Sequence, residues 1–142
     1  MEAKYFMVGD YVLNNEGIAF RVAQVNDACY GEHTSDLMLE NGEEYKEVDA
    51  IEITAEILEK NGFDIAILNN KEPEAYLRMG YLDDDGEMED VAYDIIIDHH
   101  KTYWELTIIN NDKGCRIDIN INYVHELQHA LRLCGIDKEI VL

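Results

Sequence analysis

The chain has 142 residues, 47% of them hydrophobic and 30% charged, a globular balance that excludes a disordered polyelectrolyte and gives enough length for one core without a metal or disulfide staple. Acidic residues number 31 against 11 basic, a formal net charge of −20, so direct duplex binding, which takes clustered Lys and Arg, is not expected. Apolar runs at residues 95–97 and 106–109 fall far short of the roughly 20 residues of a membrane span, and residues 1–7 lack the order of a secretory signal, so the expected location is the cytoplasm.

Residues 7–53 read as short strands with turns between them: 9–13, a turn at Asn14-Asn15-Glu16-Gly17, 18–25, 37–40, a turn at Asn41-Gly42, and 44–53. Asn-Gly between strands is a strong hairpin signal, because both residues accept the positive φ of a type I′ turn. This part resembles an SH3-like or Tudor-like barrel. Tyr5, Phe6, Tyr11, Phe20, Tyr30 and Tyr45 are then core and rim, and such folds often bind peptides through exposed aromatics. Thr54 caps a short helix over 55–61, which Gly62 stops. Pro73 interrupts residues 63–80, and 74–79 fit either a helical turn or an edge strand.

Asp83-Asp84-Asp85-Gly86-Glu87-Met88-Glu89-Asp90 is the densest acidic run and reads as a solvated loop. Counted back from Gly86, an EF-hand would place Tyr81 at its first ligand position and Ala92 at its twelfth, so that motif fails. The candidate binding residues are Asp83, Asp84, Asp85, Glu87, Glu89 and Asp90, with Trp104. Residues 91–97, 103–109 and 115–121 form a predicted antiparallel meander with turns at 98–102 and 110–114. Ile117, Ile119 and Ile121 alternate with Asp118 and Asn120, which predicts one buried face and a helix packed on it. Asn122 caps that helix, which runs to about Cys134 and stops at Gly135; residues 136–142 supply a final edge strand. The three cysteines, Cys29, Cys115 and Cys134, form no Cys-x-x-Cys pair and read as free buried thiols.

His125-Glu126-Leu127-Gln128-His129 satisfies the pattern that sets two imidazoles one helical turn apart for zinc, with a glutamate to activate water. On a helical wheel Tyr123, Val124, Leu127, Ala130, Leu131 and Cys134 share one arc, and His125 and His129 point away from it toward solvent. A metzincin would continue with Gly and His, whereas Arg132 holds the Gly place, no His follows, and Cys134, Asp137 and Glu139 lack ligand spacing. His99 and His100, in the predicted turn, are the remaining route to a third ligand. No Gly-rich phosphate loop or Gly-x-Ser-x-Gly elbow is present, and Ser35 is the only serine.

The segment Tyr123-Val124-His125-Glu126-Leu127-Gln128-His129, followed by Leu131, Leu133, Gly135 and Glu139-Ile140, is similar to the ending of a group of small uncharacterised proteins of Bacteroides-type gut bacteria and their phages. Val8-Gly9-Asp10-Tyr11-Val12, Phe20-Arg21-Val22 and the stretch from Ile53 through Thr54, Glu56 and Leu58 to Phe63 resemble the same group. In that group the positions matching Glu126 and His129 often carry Gln and Asn, which would abolish a zinc site. The resemblance implies a phage or mobile-element origin and carries no catalytic residue across.

The expected architecture is α+β in a single domain, 1–142, subdivided as an SH3-like barrel over 1–53 and a meander plus helix over 54–142. The expected function is a non-catalytic acidic interaction module that uses no cofactor and binds a protein partner, such as a basic nucleic-acid-binding host protein. The alternatives are a zinc hydrolase with Glu126 catalytic and His125 and His129 on the metal, and a virion or assembly component.

Overall fold

Turn-forming Asn and Gly cut residues 11–50 into five short strands: β1 (Tyr11–Leu13), β2 (Ala19–Asn26), β3 (Asp36–Leu39), β4 (Glu44–Tyr45) and β5 (Asp49–Ala50). The structure, a computed structural model, describes residues 1–2, 5–26, 36–67 and 72–142; Cys29, Tyr30 and Ser35 lie outside them. All strand pairings are antiparallel in the order β4-β3-β2-β1-β5, with β4 and β5 at the edges, so among the described residues the sheet is not closed into a barrel. The single strand expected over 44–53 is instead the two short strands β4 and β5.

Two hairpins share one loop design. Gly17 N–H donates to the Asn14 carbonyl and Asn14 N–H to the Ile18 carbonyl, each at 2.9 Å; Gly42 N–H and Leu39 N–H repeat this on the Leu39 and Glu43 carbonyls at 2.9 and 2.8 Å. That is a three-residue loop closed by a glycine at positive φ, 74° at Gly17 and 85° at Gly42, and not the two-residue type I′ turn expected at Asn41-Gly42. Only the glycine takes the left-handed conformation, and Glu40 joins the loop.

The chain divides into two compact units, Met1–Glu52 with Tyr123–Glu139 and Ile53–Asn122 with Ile140–Leu142. In the first, Phe6, Val12, Val22, Leu37, Leu39 and Val48 form a core on the sheet. The helix α2 (Val124–Leu133), expected to cover the meander, groups with this sheet, and its first N–H donates to the Ile51 carbonyl at 2.8 Å. Its N-cap is Tyr123, one residue beyond the expected Asn122, because Glu126 Oε2 reaches back to accept the Tyr123 N–H at 3.1 Å. Gly135 ends it in a Schellman motif, with Gly135 and Ile136 N–H groups on the Arg132 and Leu131 carbonyls.

In the other unit Thr54 caps α1 (Ala55–Lys60), its hydroxyl accepting the Ile57 N–H at 3.2 Å. A sheet follows in the order β10-β9-β8-β7-β6: β6 (Asp64–Ala66), β7 (Glu74–Leu82), β8 (Met88–His100), β9 (Tyr103–Asn110) and β10 (Cys115–Ile121). Pro73 directly precedes β7, where a missing N–H breaks no ladder bond. β8 is longer than expected and carries His99 and His100 in the strand, leaving Lys101-Thr102 as the turn. The tail, expected as an edge strand, forms none: the Asn61 side-chain amide donates to the Val141 carbonyl and accepts the Val141 N–H, each at 2.8 Å, doing a neighbouring strand's work. Ile121 is buried, but Ile117 and Ile119 are 44% and 37% exposed, because β10 is the sheet edge and its side chains have a strand neighbour on one side only. Cys115, expected to be buried, is exposed on the same strand, and Cys134 is half-buried. Among the described residues no helix is long and apolar enough to cross a membrane.

Candidate functional site

The helix that carries the His-Glu-x-x-His pattern is covered on two sides. His125, expected to face solvent, is 3% exposed, with the Phe6 ring 4.6 Å and the Tyr123 ring 5.8 Å from its own. A wheel shows only the arc that is apolar; it does not show that the N-terminal segment brings Phe6 onto the next arc, or that Gln128 is buried with its amide on the Lys138 carbonyl at 2.9 Å. The Nδ1 atom of His125 is enclosed without a hydrogen-bond partner. Burial holds the His125 pKa below the ordinary imidazole value, opposed by the nearby Glu126 and Asp10 charges and reinforced by His129, so the ring is neutral.

His129 meets a carboxylate from the opposite end of the chain. Asp10 is 1% exposed; its Oδ2 accepts the Met7 N–H and the His129 Nε2 proton, both at 2.7 Å, while Oδ1 faces Arg132 at 3.4 Å. Arg132 also approaches Glu139 at 3.8 Å, Glu139 meets Arg21 at 3.3 Å, and the Arg21 guanidinium lies over the Tyr11 ring at 4.8 Å. A buried carboxylate is costly unless several donors converge on it, and here a backbone amide, an imidazole and a guanidinium do.

A cleft of about 310 Å³ opens beside the helix, lined by Met1, Tyr5, His125, Glu126 and His129. Zinc in it would need an imidazole lone pair from each histidine and a third donor converging on one point. The donors do not fit this arrangement: His129 Nε2 is engaged by Asp10, and Arg132 sets a fixed positive charge on the same carboxylate. His99 and His100 are bound within their own unit, His99 to Glu72 at 2.6 Å and against the Trp104 ring at 4.4 Å, His100 to Glu105 at 3.6 Å and stacked on Tyr103. Among the described residues no group of three or more His, Cys, Asp or Glu is placed to hold a metal ion.

The acidic run is the tip of a two-stranded arm. Gly80 pairs with Val91, Tyr81 with Asp90 and Leu82 with Met88, whereas β9 joins β8 only from Tyr93 onward. Two register shifts, after Met79 and after Tyr81, give the arm extra twist. The first requires Gly80, since a Cβ there would stand 1.8 Å from the Asp90 carbonyl oxygen. Asp83 is engaged locally: its Oδ1 accepts the Asp85 and Glu87 N–H groups at 3.0 and 2.8 Å, as Asn14 Oδ1 accepts those of Glu16 and Ile18. Asp84, Asp85, Glu87, Glu89 and Asp90 are exposed, and among them stand Tyr81, 64% exposed, and Met88. Trp104, the aromatic chosen from sequence, is 7% exposed and belongs to the core. Tyr81 and Met88 were legible in principle, because Asp83-Asp84-Asp85-Gly86 repeats the Asx-x-x-Gly loop of Asn14-Asn15-Glu16-Gly17. Compared with protein-family models, curated proteins and solved structures, the chain matches none.

Proposed function

We propose that this chain is a non-catalytic acidic interaction module, of phage or mobile-element origin, that binds a basic protein such as a nucleic-acid-binding host factor. The carrying observation is the β7–β8 arm, where five exposed carboxylates share with exposed Tyr81 and Met88 a ribbon closed by its own turn. An aromatic anchor on the same ribbon as charge of one sign suits a cationic surface, the charges steering encounter and the ring supplying buried contact. The net charge of −20 extends that steering over the whole molecule. We read the N-terminal sheet as an opened SH3-like barrel, supported by its strand order, in which β2, irregular between Val22 and Gln24, pairs with both β1 and β3. The engagement of His129 by Asp10 and Arg132 weighs against the zinc-hydrolase alternative.

Calorimetric titration with a synthetic Lys- and Arg-rich peptide tests the reading. Binding is expected to weaken steeply with salt, and to fall at least about tenfold when Asp84→Asn, Asp85→Asn, Glu87→Gln, Glu89→Gln and Asp90→Asn are combined. Neutralising Glu16, Glu40, Glu44, Glu47 and Glu52 removes the same charge from exposed positions of the first unit and is expected to cost much less. Equal losses from the two sets, or no binding at low salt, would overturn it.

A further inference from the structure

Strand β10 lies at the edge of its sheet, and Cys115 through Asn120 are all exposed. Among the described residues the other sheet edges are β4, β5 and β6, of two, two and three residues, while β10 has seven. Natural sheets blunt such an edge with lysine, proline or a bulge. β10 has neither residue, its pairing with β9 runs without a register shift, and its only cation, Arg116, is neutralised by Asp118 two residues along at 2.9 Å.

Its two faces differ in character. The register sets Ile117 beside Ile108 and Ile95, and Ile119 beside Leu106 and Ile97, so a single apolar face crosses β8, β9 and β10. That face is buried on the inner two strands and open at Ile117 and Ile119. On the opposite face Asn120, Glu105, Asp98 and Glu74 form a row across four strands, with carboxylates on three of them. Glu74 is held above the usual carboxylate range by its hydrogen bond to Asp98, by desolvation and by the Asp98 charge, while Glu105 of the same row meets His100 at 3.6 Å.

We propose that β10 is a docking edge that takes an extended basic segment of a partner protein as an added strand, its alternate apolar side chains meeting Ile117 and Ile119 and its alternate Lys or Arg side chains facing the Asn120–Glu105–Asp98 row. Strand addition draws affinity from main-chain hydrogen bonds and selectivity from alternate side chains. Two strand spacings, about 10 Å, separate the added backbone from that of Glu105, within the combined reach of an arginine and a glutamate. Another copy of this chain is the wrong occupant, because it brings a further −20 of charge. The proposal rests on the reading of the chain as an acidic module, and names a surface that reading does not require.

The probes are a capped peptide of alternating Lys and Val and a twin of the same sequence N-methylated at alternate amides, titrated against the full chain at low salt with amide hydrogen exchange followed. The parent peptide is expected to bind at least about tenfold tighter than the twin, to slow exchange along β10, and to lose affinity with Ile119→Lys, a change at a residue 37% exposed. Equal binding of the two peptides, or protection elsewhere than β10, overturns strand addition and leaves the acidic-module reading standing. No binding of either peptide overturns both.

Discussion

Asp10 and the carboxylates of the β7–β8 arm share a chemistry and differ in circumstance. Asp10 is 1% exposed and receives a backbone amide, His129 and Arg132, whereas Asp84, Asp85, Glu87, Glu89 and Asp90 stand in water on a ribbon that pairs only with itself. The helix that Asp10 meets carries the pattern suggestive of chemistry, and its His129 and Arg132 are engaged by that carboxylate. The arm has the composition of an ordinary solvated loop, and its groups are free to meet something else. A buried network answers the requirements of folding, so a functional reading belongs where polar and aromatic groups remain uncommitted on a structured element.

Removing one partner of the buried network is the largest way to break this contrast. Asp10→Ala is expected to destabilise the first unit by about 3 kcal/mol, the low end for a buried pair, since His129 and Arg132 keep partial access to water; urea unfolding measures it. Gly80→Ala sets a Cβ against the Asp90 carbonyl and is expected to cost about 2 kcal/mol, confined to the arm. Hydrogen exchange distinguishes that outcome from global loss, because amides near Tyr81 and Asp90 speed up while those of β9 do not.

His125 sharpens the contrast through pH. Its folded pKa lies below the ordinary 6.5, so the unfolded chain takes up a proton that the folded chain refuses. Stability from this residue is complete above about pH 6.5 and is lost as pH falls from there through the lowered folded pKa. His125→Phe removes the unpartnered Nδ1 beside Phe6, and is expected to flatten that part of the pH profile and change stability at neutral pH by less than about 1 kcal/mol. The smallest effect belongs to the arm: Asp84→Asn with Asp85→Asn is expected to move stability by less than about 0.5 kcal/mol, as surface changes do, while altering peptide binding.

Local signals in the sequence carried the parts of this fold that local physics decides. Thr54 and Gly62 bound α1, Gly135 stops α2, and the β-branched runs mark β8, β9 and β10, each through capping, positive φ or alternation within a few residues. What was not legible depends on partners distant in the chain. Alternation in β10 assigns Ile117 and Ile119 to one face, but only the edge position determines that the face stays open. His125 lies outside the apolar arc of its helix, and Phe6, over a hundred residues away, is what buries it. The candidate site followed the same division: the exposed acids were legible, and the inward side of Trp104 and the engagement of His129 by Asp10 were not.

Whether the His-Glu-x-x-His helix is structure or a metal site is decided by metal content, measured by mass spectrometry on untagged protein purified without chelator, beside His129→Ala. The expectation is no stoichiometric zinc in either protein. About one zinc per chain, lost in His129→Ala, would contradict it and make the cleft beside α2 the active site.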